Sequence, residues 1–520
     1  MQEQIRYVLI PLFLIVCLCY FLQTQLFFSG DVGYLLHVTN EILLGKKYGQ
    51  DILETNPPMI LYLYMPVCLI AKYSAVNIMT IMRIYTLFLA SISAYCSYFL
   101  LKGIFKPQDK KIIYAIYYML LFILFLLPAD DFAQREHFLM ILILPYLFST
   151  ILILQKYKLP KGIKFLIGIA AGAGFALKPY FLAPLLLIEL NVFLVKKSFY
   201  TSFRMETFTI ASVFILYLIS IYLFQPSYFK IVLPLVSEFY FIGVQQNWLV
   251  VLLNEITIFT AFIGCLYFIF YKEDKCLAVS GTLMFAMIGM LIAFILPRTA
   301  WYYHVLPALA LAFLLLAYYI GMFLKYDSST SSVFAKHNVV VLLSGLVIAF
   351  TPVTFLAVRY GYYFLYENNN GTRGQVIAYV NNHKNIKSIF CFSVKTTRDC
   401  FPLVYATQKE YGSRYPFFWW IRGMLKHEKY PNQLTLSHSL AKDKEYLIDK
   451  VADDLNKNQT DLILLNTADL KAAIDDQFDL ISYLLQNTKF RDAWKHYEYL
   501  TNIDYYQIYI RKGQSYDANK

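Results

Sequence analysis

One pattern dominates the chain and restricts its fold more than any single motif: runs of about twenty apolar residues alternate with short polar or basic segments. The runs lie near 7–28, 79–101, 112–128, 137–155, 163–177, 180–195, 207–224, 249–271, 277–296, 302–324 and 338–358. Each approaches the length that crosses roughly 30 Å of hydrocarbon, where only a helix satisfies its own backbone. The pattern therefore predicts a polytopic α-helical membrane protein with about eleven transmembrane helices. Composition agrees, because 58% hydrophobic and 15% charged residues, with mean hydropathy +0.50, lie outside the range of soluble domains. The first run lacks a small-residue cleavage site and leads into further runs, so it reads as a retained helix and not as a leader peptide.

Net charge is +12, a value that in a soluble protein would suggest nucleic acid. Here the cations cluster between apolar runs, as the positive-inside rule expects, so no nucleic-acid partner is inferred. The stretch from Pro58 to Ala71 is short and interrupted by Pro66, which favours an interfacial or re-entrant helix. With that stretch not crossing, Lys102, Lys106, Lys110 and Lys111 share one side with Lys156 to Lys164, with Lys196, Lys197 and Arg204, and with Lys272 and Lys275. That side becomes cytoplasmic. The expected organisation is a transmembrane module over 1–358, whose first external loop, 29–78, carries interfacial helices. A C-terminal extracytoplasmic α/β domain follows over 359–520, marked by a polar composition and by strand-like SIFCFSV and DLILLN. Its two cysteines, Cys391 and Cys400, can pair in an oxidising compartment; two buried free thiols are the other reading.

Ionisable residues gather at the external ends of the runs. Asp31 follows the first run directly, and PADDFAQREH places Asp130, Asp131, Arg135, Glu136 and His137 in one turn between apolar helices. A lone carboxylate there can simply cap a helix, but charges at membrane level usually mark function. Glu136 and His137 could help to hold a divalent metal, although the spacing matches no established metal box; the alternative is a hydrogen-bonded loop neutralised by Arg135. Lys178 ends the Gly-rich GIAAGAGFALKPY, in which Gly168, Gly172 and Gly174 permit close helix packing. Arg298, Tyr303 and His304 lie in PRTAWYYHVLP. Any one cation can snorkel, whereas several converging at membrane level suit a lipid phosphate. No Walker loop, GxGxxG, GxSxG or HExxH is present, and a nucleotide-activated donor would sit on the cytoplasmic side, so a lipid-linked donor fits external acids better.

Over roughly residues 7–325 these motifs resemble the GT-C superfamily of polyprenyl-phosphate-dependent glycosyltransferases, in particular the branch with protein O-mannosyltransferases and the lipid A aminoarabinose transferase. The matching features are Asp31 after the first helix, Pro57 and Pro58 in the first loop, Asp130 or Asp131 in the next, the Gly-rich helix ending in Lys178-Pro179, and Tyr302-Tyr303-His304-x-x-Pro307. Relatives often carry Lys before the Pro pair, where this chain has Asn56. The resemblance implies an inverting glycosyltransferase of the bacterial inner membrane, with its active site outside. Its donor would be a polyprenyl-phosphate sugar, and its acceptor a lipid such as lipid A, a glycan or a protein. In this reading Asp31 is the general base, with Asp130 and Asp131 as further catalytic acids. Lys178, Arg298, Tyr303 and His304 bind the donor phosphate, and Arg135, Glu136 and His137 orient the acceptor or a metal. The competing reading is a transporter or flippase of lipid-linked sugars, but charges gathered at one interface and the lack of half-to-half similarity favour the enzyme.

Overall fold

A computed structural model describes residues 2–271, 274, 276–325, 354, 357–361, 371–398, 400–431, 439–475 and 477–513. Seven of its helices are long and apolar enough to cross a membrane: Gln2–Gln25, Ile78–Ile104, Arg135–Leu154, Pro179–Lys196, Met205–Phe224, Leu277–Ile295 and Tyr302–Lys325. The runs at 112–128 and 163–177 form shorter helices, Lys110–Leu121 continued by a π turn over Phe122–Leu126, and Lys161–Phe175. The run at 249–271, read above as one span, is two helices, Trp248–Leu252 and Glu255–Phe270. The cause is Asn254, whose side chain accepts from the Ile256 amide and starts a new helix. The run at 338–358 lies almost wholly outside the described residues. In the first loop the apolar stretch is the helix Met59–Tyr73, fifteen residues with Pro66 inside, about 22 Å long and short of a full crossing.

Contacts divide the chain into two units. The first comprises 1–26, 57–220 and 246–361; the second comprises 27–56, 221–245 and 362–520. The two earlier segments that join the second unit are invisible to a linear division.

In the first unit, Arg135–Leu154 and Tyr302–Lys325 are buried along nearly their whole length. Their apolar faces have no polar side to turn outward, so neighbouring helices surround them. Small residues set the closest approaches: a Cβ on Gly168 or Gly172 would lie 2.6 Å from Thr209 or 2.8 Å from Val213, which brings Lys161–Phe175 tight against Met205–Phe224.

The second unit is built on a five-stranded sheet in the order β2-β1-β3-β5-β4. β1 (Ser388–Phe392), β2 (Glu410–Tyr411) and β3 (Leu462–Asn466) run parallel, and β4 (Tyr497–Ile503) and β5 (Tyr506–Arg511) add an antiparallel hairpin. The expected strands SIFCFSV and DLILLN are β1 and β3. Both are buried at every residue, which is why they read as unbroken apolar runs and not as alternation. Segment 27–56 is held to this domain through Arg414. Its guanidinium donates to Asp454 at 2.8 and 2.9 Å and to the Gln50 carbonyl at 2.8 Å, while its own carbonyl accepts from the Leu53 amide at 2.9 Å. Segment 221–245 is held by Lys426, which donates to the Ile242 carbonyl at 2.8 Å, and by the backbone of Gly423 pressed against Phe239.

Candidate active site

In the first unit the acidic turn between Leu127 and Arg135 is tightly wound. Ala129 and Ala133 both adopt positive φ, 48° and 67°, a costly conformation for residues with a Cβ that the surrounding packing must enforce. The turn presents Asp130 and Asp131 on one side, where Arg359 bridges them: Nε lies 2.5 Å from Asp130 Oδ1 and Nη2 lies 2.6 Å from Asp131 Oδ2. The same guanidinium lies 3.8 Å from the centroid of the Tyr302 ring. Sequence reasoning missed Arg359 as a site residue. Its only local signal was a cation at the end of an apolar run, where snorkelling is the ordinary explanation.

One turn later Arg135, Glu136 and His137 open the central helix, and all three are buried. Glu136 Oε1 accepts from Lys178 Nζ at 2.5 Å, a pair about 40 residues apart in sequence that closes between two helix ends. Lys178 also donates to His304 Nε2 at 3.0 Å. An ammonium can only donate, so Nε2 accepts and the ring proton sits on Nδ1, facing Thr299 Oγ1 at 2.8 Å. Tyr303 completes the group, its ring centroid 5.3 Å from Lys178 Nζ and 5.8 Å from the Arg135 guanidinium. Five of the residues singled out from the sequence, Arg135, Glu136, Lys178, Tyr303 and His304, are thus brought together. Glu136 Oε2 is buried and has no hydrogen-bond partner among the described residues. A buried polar oxygen left bare in such a place is costly unless something docks on it.

Two expectations take a different form. His137 lies beside Glu136 in sequence, but its ring is spent on the backbone: Nδ1 accepts from the Ala133 amide at 3.1 Å and Nε2 meets the Leu124 carbonyl at 2.8 Å. No lone pair remains for a metal, so the Glu136 and His137 ligand pair is corrected to a structural histidine beside a carboxylate that is salt-bridged to Lys178. Among the described residues no three His, Cys, Asp or Glu side chains lie close enough to hold a metal ion. Arg298, expected at the donor phosphate, sends Nε and Nη2 to the Gln246 carbonyl at 3.1 and 2.7 Å, and its guanidinium lies 4.5 Å from the Trp248 ring centroid.

Asp31 belongs to the second unit. It sits in the first turn of the helix Gly30–Leu43, where backbone amides favour an anion, and its Oδ1 accepts from Thr397 Oγ1 at 2.5 Å. Thr397 lies in the loop between Cys391 and Cys400, which are joined by a disulfide with Cα atoms 5.8 Å apart. Further along the helix, His37 packs among Tyr34, Phe401 and Tyr411. Desolvation there, with Lys46 adding, pushes its pKa down to about 4, which makes it a poor base at neutral pH. Asn56 is likewise occupied: its backbone amide donates to Glu54 Oε1 at 2.7 Å and its side-chain amide donates to the same oxygen.

No family model matches the sequence, and a search of the curated proteins gives no match. Solved structures do match. ArnT from Cupriavidus metallidurans in the apo state is similar with a TM-score of 0.58 at 10% identity, over 98% of this chain and 98% of that one. The same protein bound to undecaprenyl phosphate gives 0.55 at 10% identity, over 97% and 98%. The chain therefore shares the fold of that ArnT along nearly its whole length.

Proposed function

We propose that the protein is an integral-membrane glycosyltransferase of the GT-C type. It would transfer a sugar from a polyprenyl-phosphate donor to a lipid, glycan or protein acceptor on the extracytoplasmic face of a bacterial inner membrane. The observation that carries this reading is the buried Lys178, Glu136 and His304 group, with a carboxylate oxygen left open. Support at the level of fold comes from the likeness to ArnT along the whole chain, including the form bound to undecaprenyl phosphate.

In this mechanism the acceptor hydroxyl or amine attacks the anomeric carbon and gives its proton to Asp31. The bond from that carbon to the phosphate oxygen breaks, the configuration inverts, and polyprenyl phosphate leaves. General-base help of this kind contributes about 10²- to 10⁴-fold. Negative charge grows on the departing phosphate, so preset cations and hydroxyls stabilise the transition state more than the ground state. Lys178, Arg135 and Tyr303 are assigned to that task, and His304 is assigned to orient Lys178. Arg298 is left out of the set because its guanidinium is engaged by Gln246 and Trp248. Glu136 Oε2 is assigned to a donor group on the incoming sugar or acceptor. Asp130 and Asp131, clamped by Arg359, hold the turn that aims Arg135 and Glu136.

The test uses purified protein in lipid vesicles with a labelled polyprenyl-phosphate sugar and envelope lipids as acceptor. Transfer releases unglycosylated polyprenyl phosphate and moves the label to the acceptor. Label that stays on its carrier while crossing the bilayer would identify a flippase instead.

A further inference from the structure

The loop closed by Cys391 and Cys400 does something more specific than staple a domain. Thr397 is buried within it, and the segment presses on the start of the helix Gly30–Leu43 so closely that a Cβ on Gly30 would lie 2.4 Å from the Thr397 carbonyl carbon and oxygen and 2.5 Å from the Arg398 Cα. Only glycine permits two backbones to meet at that distance. The contact brings the Thr397 hydroxyl to 2.5 Å from Asp31 Oδ1. Two further features fix the loop in place. The Thr397 carbonyl accepts from the amides of Cys400 and Phe401, both at 3.2 Å, and the Phe401 ring lies 4.8 Å from that of Tyr34 on the same helix as Asp31. The hydroxyl therefore reaches Asp31 from a segment anchored by a covalent bond, two backbone hydrogen bonds and an aromatic contact.

We propose that Thr397 is the positioning residue for Asp31, and that the Cys391–Cys400 disulfide serves to hold it there. Hydrogen bonding to one carboxylate oxygen restrains the rotamer of Asp31 for its task as base. A base set in advance avoids the loss of orientation that a free side chain would bring to the transition state. This rests on the assignment of Asp31 as base under the proposed function, and the experiment separates the two.

Three variants are compared in the vesicle assay: Thr397→Val, which keeps the shape and removes the donor; Thr397→Ser, which keeps the donor; and the double variant Cys391→Ala/Cys400→Ala. Thr397→Val is expected to lower kcat by roughly 10- to 100-fold, the range for a lost hydrogen bond to a charged group, with the KM for the donor unchanged. Thr397→Ser should restore most of kcat, and the double cysteine variant should fall in the same direction as Thr397→Val. Size-exclusion profiles and thermal midpoints show whether each variant is folded. A folded Thr397→Val with normal kcat, alongside an Asp31→Asn that is inactive, overturns the positioning role and leaves the base assignment standing. Normal kcat in both overturns the base assignment itself. Equal loss in Thr397→Val and Thr397→Ser would show that packing, not the hydroxyl, matters, and would also overturn the proposal.

Discussion

Two carboxylates in this molecule are held in opposite ways, one in each unit. Glu136, in the helical bundle, is 1% exposed and is met by the Lys178 ammonium with His304 close behind. Asp31, in the loop and sheet unit, is only half-buried, sits at a helix start, and takes a hydroxyl from Thr397. A buried charge in a low-dielectric interior needs a counter-charge to remain ionised, so Glu136 and Lys178 depend on each other for the stability of the fold. Asp31 is partly exposed to water, and its assigned task is to take the acceptor's proton. The comparison teaches that the buried pair should show itself in stability as well as in rate, and Asp31 in rate alone.

The largest effect expected tests the Asp31 side of that contrast. Asp31→Asn keeps the shape and removes the base, and should cost about 10²- to 10⁴-fold in transfer rate, about 3–5 kcal/mol of transition-state energy. Its thermal midpoint should change little, and near-normal transfer in defined lipid would break the comparison. Next comes Lys178→Met, which strands Glu136 and should lose about 3–5 kcal/mol of stability. Adding Glu136→Gln should return much of that loss when unfolding is followed in detergent, because a neutral amide needs no counter-ion. Smaller again is Gly30→Ala, whose Cβ would meet the Thr397 and Arg398 backbone and should destabilise the second unit by about 1–3 kcal/mol. Protease sensitivity of the C-terminal domain would report it. The mildest test concerns pH: His37 has a folded value near 4 against an ordinary 6.5, so the unfolded chain takes up a proton that the folded one refuses. Its contribution to stability is present above about pH 6.5 and is lost as pH falls toward 4, and His37→Gln should flatten the thermal midpoint across that window.

Much of the architecture could be read in advance because apolar length and period are local properties. Among the described residues the long runs became helices, SIFCFSV and DLILLN became adjacent parallel strands, and the stretch after Pro58 is a helix of fifteen residues. Asn254 shows the limit of that reading, since hydropathy averages over a capping residue that splits a run in two. Arg204 shows another. In the sequence it counted only as one of the cations on the cytoplasmic side, yet it is 9% exposed and forks onto Glu189 at 2.6 and 2.8 Å, with Tyr146 and Thr150 at 3.2 Å. At the site, residue types near the right helix ends were legible, and five of them converge. The engagement of His137 with two backbone groups, the diversion of Arg298 to Gln246, and the bridge from Arg359 to Asp130 and Asp131 were not.

By itself the sequence determined a membrane-embedded helical bundle, an α/β domain at its end, and a set of ionisable residues clustered at helix termini. Tertiary structure alone decided the partners: Lys178 with Glu136 and His304, Arg359 with the aspartate pair, and Thr397 with Asp31. The physical reason is range. A helix or a strand is written in spacings of two to four residues, whereas these contacts close loops of about 40 to 366 positions. Such closures form only when the packing of everything between them offsets the entropy of bringing the ends together.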